Sequence, residues 1–332
     1  MDSDWLARPL LGSDFPMPLT QPFTAHQARA AGVTQHTFEK LVRSGHLRRV
    51  LRGVYTAAQA PDDVLMRASA LALVIPPSAV VTDRTAAWLH GVEILPRTAL
   101  TQAPPIDVAH VDDTRVRRPE VDGRRRGLLR TDITEVHGVR VTTALRTALD
   151  LGRLLWRFDA LSAVDGFLRI GVPHELLSLE INRFKGYRGV RQLRALAPLG
   201  DARAESPGES ALRLHWYDAG LPKPELQVWI HSDTGSPIYR LDIADPEVRY
   251  SAEYDGVEAH TSAHDREYDE SRRLWIEDHR AWTIDPFRKE DVYARDASPV
   301  AQLQAGHAQA RRSISLWTPR RRTAEELPAQ RP

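Results

Sequence analysis

Four carboxylates between residues 209 and 255 have the spacing to meet. Asp242 lies in the middle one of three short stretches that read as strands, and Glu253 and Asp255 lie in the next. The link between those two stretches, Asp245-Pro246-Glu247, is short enough for an antiparallel hairpin, which sets Asp242 beside Glu253. Glu253 and Asp255 are two apart and project from one side of their strand. Glu209 sits one turn into a helix that opens at Ser206-Pro207, where it can lean over the same sheet. Carboxylates gathered this closely repel one another unless a cation neutralises them, and Mg2+ (or Mn2+) suits an all-oxygen set. A bound ion of that kind lowers the pKa of its water and stabilises charge on a phosphodiester. Any one of these residues alone would be ordinary solvated surface; the case rests on all four.

The elements that must position them run from residue 201 to 298. A helix from Ser206 to Ala219 is followed by strands at Leu226–His231, Tyr239–Ala244 and Tyr250–Asp255. A helix at Arg266–His279, a strand at Ala281–Ile284 and a helix near Arg288–Tyr293 complete an α-β-β-β-α-β order. Residues 205–295 resemble the PD-(D/E)XK nuclease superfamily, and within it the very-short-patch-repair-like endonuclease domains. The resemblance is carried by Glu209 in Glu209-Ser210-Ala211-Leu212-Arg213, Asp242 in Arg240-Leu241-Asp242, and Glu253-Tyr254-Asp255-Gly256. His260, Asp269, Arg272-Arg273 and Trp282 extend it.

That resemblance implies a restriction-endonuclease-like fold with a Mg2+ (or Mn2+) site at Asp242, Glu253 and Glu209. Asp255 and His260 would join these three in catalysis. Gln227, on the first strand, is a secondary member of the pocket. Arg272 is a phosphate contact or a partner of the acidic cluster. The chain departs from the family pattern at one place, where Asp255 occupies the usual lysine position. Either another group such as His260 serves there, or the fold persists without catalysis.

The front of the chain has the opposite charge. Between Thr24 and Tyr55 there are six basic residues and one acidic; between Asp201 and Glu290 there are eleven basic and twenty acidic. Thr24 caps a helix through Ala31 and Thr34 caps another from Gln35 to Ser44, with Gly32 and Gly45 as stops. Leu47 to Tyr55 then reads as two strands around a basic turn. Residues 22–58 resemble the N-terminal winged-helix domain of AbiEi-type antitoxins, through Leu41-Val42-Arg43-Ser44-Gly45-His46-Leu47 and Arg52-Gly53-Val54-Tyr55. In that geometry Gln35, His36 and Thr37 face the major groove and Lys40 and Arg43 meet phosphates. Arg48, Arg49 and Arg52 act from the wing. The resemblance implies DNA as a partner and leaves a cognate toxin open as a second. A small helical domain with a solvated basic face is the plainer alternative.

The chain as a whole reads as an α+β / α/β multidomain protein. Residues 1–22 form a proline-rich flexible arm and 23–60 the winged helix. Residues 61–200 form a mixed middle region without chemistry of its own, 201–298 the nuclease-like domain, and 299–332 a flexible basic tail. Zero cysteines exclude disulfides and thiolate zinc sites. The absence of a long apolar run or a signal peptide points to a cytoplasmic protein with no membrane partner. Of the 45 basic residues only four are lysine, a bias of composition rather than of function.

Overall fold

The computed structural model describes residues 4–76, 78–94, 106–110, 121–232, 234–255, 273–294 and 299–316. These fall into two compact units. The first comprises residues 1–154 and 170–194, and the second comprises 155–169 and 195–332. The architecture is mixed α+β, with three sheets and twelve α-helices among the described residues.

The first unit opens with β1 (Phe23–Thr24), α1 (Ala25–Ala30), α2 (Gln35–Arg43), β2 (Leu47–Leu51) and β3 (Val54–Ala57). Thr24 and Gln27 cap α1 reciprocally: Gln27 N donates to Thr24 Oγ1 at 3.1 Å, and Thr24 N to Gln27 Oε1 at 2.7 Å. Thr34 caps α2 in the same position. The three strands pair in the order β1-β3-β2, with Gly53 at φ +80° in the tight β2–β3 turn. Phe38 and Leu41, three apart on α2, bury against Phe23, Ala28 and Leu47. Each contributes about 2 kcal/mol by area. Leu11 and Phe15 belong to the same core. The expected loose arm over residues 1–22 is therefore wrong for these two residues, whose apolar side chains the small helical core needs.

Next come α3 (Val64–Ala72), β4 (Ala79–Val81), α4 (Asp83–Leu89), β5 (Ile106–His110), β6 (Val121–Arg125), β7 (Ile133–Val136), β8 (Val139–Thr142) and α5 (Ala144–Leu154). Five strands pair in the order β6-β5-β4-β8-β7. His137 and Gly138 both take positive φ in the two-residue β7–β8 turn, as that kind of hairpin demands. Leu51 and Val54 share a core with Leu71, Val81 and Leu89. The front hairpin and the following sheet are thus one packed unit, without the boundary expected at residue 60.

Helix α5 buries charge. Arg146 reaches Asp132 at 2.6 Å and Asp150 at 2.8 Å, while Arg126 and Arg153 also bind Asp150, at 3.0 and 2.8 Å. Burial alone would push the Asp150 carboxyl up, but the three arginines outweigh it and hold it below its ordinary range. The helices α6 (Arg157–Arg169), α7 (His174–Glu180) and α8 (Val190–Leu196) follow. Of these, α6 lies in the second unit, so the expected middle region ending at residue 200 is split.

The second unit continues with α9 (Pro207–Asp218), β9 (Glu225–His231), β10 (Pro237–Asp245) and β11 (Tyr250–Asp255). After these come α10 (described over 273–280), β12 (Thr283–Arg288), α11 (Lys289–Tyr293) and α12 (Pro299–Leu316). The sheet order is β12-β11-β10-β9; β11 and β12 are parallel and the other pairs antiparallel. Residues 299–316, expected in a mobile tail, form α12 instead and bury Leu303 and Ala310. His307 on this helix meets Asp245 Oδ2 at 2.8 Å. No helix among the described residues is long and apolar enough to cross a membrane.

Candidate functional site

Where β10 and β11 part, carboxylates fill the gap. The ladder pairs Ile243 with Ala252 and goes no further in that direction. One step beyond, Asp242 N donates to Glu253 Oε1 at 3.3 Å and Tyr254 N donates to Asp242 Oδ2 at 3.1 Å. The two side chains therefore lie side by side, as the short hairpin predicted. Glu253 is only 8% exposed. Its Oε1 also accepts from Ser251 Oγ at 3.0 Å, and Tyr239 Oη donates to its Oε2 at 2.5 Å.

Glu209 arrives from α9. Ser206 caps that helix by accepting from Glu209 N at 3.1 Å, and Pro207 occupies its first position. The Glu209 side chain, 9% exposed, turns back so that its Oε2 accepts from Glu205 N and from Gln227 Nε2, both at 2.9 Å. It is thus at once a cap of its helix and a neighbour of the sheet.

Gln227 can reach Glu209 because its strand changes sides there. Gln227 has φ +57°. Leu226, just before it, packs in the core that holds Leu212 and Trp216, whereas Val228 and Ile230 pack with Ile276 and Trp282. A regular strand would send residues 226 and 228 to one side. Leu241 and Ile243 on β10 are divided between the same two cores. The left-handed residue stores strain of order 1–3 kcal/mol, a cost often found at functional sites. Gln227 Oε1 is buried without a hydrogen-bonding partner.

Burial drives the electrostatics of this group. It pushes the Asp242 carboxyl up, and the Glu253 and Glu209 charges add to the rise, to about 8. Burial also pushes up the carboxyls of Glu253 and Glu209. Arg240 opposes the rise at Asp242 and Glu209, and Arg273 on α10 opposes it at Glu253.

Asp242, Glu253, Glu209 and Gln227 are brought together. Asp255 is not: it stands exposed at the end of β11, where its ladder partner is Arg288. The four-carboxylate convergence is corrected accordingly. Among the described residues no group of three or more His, Asp or Glu side chains has the arrangement of a metal site. His260 and Arg272 lie outside the described residues. Tyr239 and Ser251 were missed, while Arg240 and Arg273 were named only as parts of the motifs, without a role at the site. Ser251 and Arg240 were findable two residues before Glu253 and Asp242. Tyr239 lies three residues before Asp242, off the two-residue period of the strand.

At the basic front, His36, Lys40 and Arg43 on α2 and Arg49 and Arg52 on the hairpin are exposed, as expected. Gln35 is exposed but ties its amide to Arg29 and Glu39. Thr37 does not face outward. It is 7% exposed and its hydroxyl accepts from Thr34 Oγ1 at 2.9 Å, so it serves the helix cap rather than a base edge. Arg48 is half-buried, with Nη2 donating to the Ala60 carbonyl at 3.4 Å. In the same unit a hollow of about 390 Å³ is lined by Leu129, Leu176, Arg146, Asp132 and Arg183, whose charges pair among themselves.

Residues 78–200 match the family model described as the AbiEi antitoxin C-terminal domain. The match covers β4 through α8, the stretch for which the sequence suggested no role. Two curated relatives, the uncharacterized proteins Rv2248 and MT2308 of Mycobacterium tuberculosis, are each 34% identical over 277 residues. Each alignment covers 83% of this chain and 97% of the relative. The chain belongs to the family of these mycobacterial proteins, and its residues 78–200 are similar to the AbiEi antitoxin C-terminal domain.

Proposed function

We propose that this is a DNA-binding protein of the antitoxin type whose second unit is a PD-(D/E)XK-like, Mg2+-dependent phosphodiester hydrolase. The observation that carries the reading is the pair of half-buried Asp242 and buried Glu253, side by side where the two strands part. Such a pair is costly to bury as two charges and is eased by a divalent cation.

The donor set suits Mg2+, because it is all oxygen and Mg2+ uses one or two carboxylates with water and phosphate. Asp242 binds the Tyr254 N–H through Oδ2 and has no hydrogen-bonding partner at Oδ1 among the described residues. Asp242 and Glu253 would hold the ion, Tyr239 and Ser251 fix the Glu253 carboxylate, and Gln227 fixes Glu209. When bound, the ion supplies an acidified water and neutralises charge on the phosphate. In the first unit, helix α2 and the β2–β3 hairpin serve as a winged helix. There His36 and Gln35 face base edges, and Lys40, Arg43, Arg49 and Arg52 meet phosphates. Antitoxin kinship further suggests a cognate toxin as partner and a cytoplasmic location.

Incubation of the purified chain with plasmid and oligonucleotide DNA, with Mg2+ or Mn2+, tests the hydrolase. Cleavage that Asp242→Ala and Glu253→Ala abolish supports it; equal cleavage by those variants marks a contaminant. A second reading, a regulator whose nuclease fold no longer cuts, is favoured by Asp255 at the usual lysine position. In that case calorimetric titration with Mn2+ shows no binding that depends on Glu253.

A further inference from the structure

Beside the acidic pocket lies an aromatic surface that hydrolysis does not require. Trp229, on the edge strand β9, is 50% exposed. The ladder sets it directly opposite Arg240 on β10, so the two side chains leave the sheet on the same side. The Arg240 guanidinium carbon lies 5.7 Å from the centre of the indole ring. Arg240 then joins Glu205 at 2.6 Å, and Glu205 N donates to Glu209 Oε2. A continuous line of interactions thus runs from the exposed ring to the pocket. The Arg240–Glu205 pair is itself exposed, so solvent weakens it and leaves the guanidinium able to meet a phosphate.

We infer that Trp229, backed by Arg240, is a stacking platform for an unpaired nucleobase, so that the polynucleotide entering the pocket is single-stranded or locally opened. The inference rests on reading the pocket as a polynucleotide site. An indole ring can stack only on a base whose face is uncovered, and in a duplex neighbouring base pairs cover both faces. A cation beside an aromatic ring next to an acidic pocket fits a strand whose base stacks while its phosphate is held. An exposed tryptophan alone would mean little. Trp229 stands out because its partner Arg240 is tied through Glu205 to Glu209.

The test measures fluorescence anisotropy of labelled single-stranded oligothymidylate and of its duplex with oligoadenylate, using the full chain in EDTA. All proteins carry Arg43→Ala and Arg49→Ala so that the basic front does not mask the effect. Trp229→Ala should weaken single-strand binding about tenfold and leave duplex binding unchanged, with Trp229→Phe retaining most of the affinity. Single-strand affinity unchanged in Trp229→Ala, or equal losses on both ligands, overturns the proposal. So does a change of oligomeric state on size exclusion without a change in binding, which would make the surface an interface between copies of the chain. The two readings separate cleanly. Trp229-dependent single-strand binding without Mn2+-dependent cleavage keeps the platform and discards the hydrolase; cleavage with unweakened binding in Trp229→Ala does the reverse.

Discussion

Asp242 and Glu253 exchange backbone partners across the gap between β10 and β11. The Glu253 carboxylate takes the N–H of Asp242 at 3.3 Å, and the Asp242 carboxylate takes the N–H of Tyr254 at 3.1 Å. Each side chain satisfies a donor that the ladder has released, which keeps both carboxylates at the site without a ligand. Burial holds both carboxyls above their ordinary range.

Stability without metal should fall as the pH rises. The folded pKa of Asp242, about 8, lies above its ordinary 3.8. A raised carboxyl stabilises the fold fully below the unfolded pKa, and that contribution is lost as the pH climbs through the folded value. In EDTA, the melting temperature of the wild type should decline between pH 5 and pH 8, about where Asp242 ionises. Asp242→Asn should flatten this decline. An unchanged slope in that variant would assign the effect to other groups.

Divalent cations should reverse the trend. Mn2+ should raise the melting temperature more at pH 8 than at pH 5, because binding displaces protons from Asp242 and Glu253. Glu253→Gln should lose that response. Differential scanning fluorimetry at the two pH values reads the effect directly.

Asp150 makes the opposite prediction in the first unit. Its carboxyl is held down, so its contribution is present above its unfolded pKa and lost as acid lowers the pH through the folded value. Asp150→Ala leaves Arg126, Arg146 and Arg153 without their shared anion and should cost about 3–5 kcal/mol at neutral pH. Urea unfolding followed by circular dichroism measures it.

Gly208 precedes Glu209 and leaves room for the ring of Tyr254. A Cβ at Gly208 would lie 2.0 Å from that ring. Gly208→Ala should therefore destabilise the second unit by about 1–3 kcal/mol and shift Tyr254, whose N–H holds Asp242. Reduced Mn2+ affinity in calorimetry should accompany the lower stability.

At the basic front, Lys40→Ala with Arg43→Ala should reduce the salt dependence of DNA binding, by roughly 0.9 in the log–log slope for each phosphate that is no longer neutralised. Thr37→Val should instead lower thermal stability by about 1 kcal/mol through loss of the Thr34 Oγ1–Thr37 Oγ1 hydrogen bond and leave sequence preference unchanged. A changed preference with unaltered stability would return Thr37 to the DNA-reading face.

Much of this protein was legible in residue order. The caps at Thr24, Thr34 and Ser206 and the strand at Tyr250–Asp255 follow from local preference and periodicity, which act over a few residues. The closeness of Asp242 to Glu253 followed as well, because so short a link sets the two strands side by side. Packing decided the rest. Leu11 and Phe15 carry no periodic signal, yet the small front core closes over them. Gln227 takes a left-handed backbone because Leu226 and Val228 must enter different cores, and that turn alone brings its amide to Glu209. Asp255 shares a strand with Glu253 but stands exposed at its end. Sequence specifies which residues are able to face one another. Which of them are sealed from water, and so acquire shifted pKa values, depends on the elements that close over them in three dimensions.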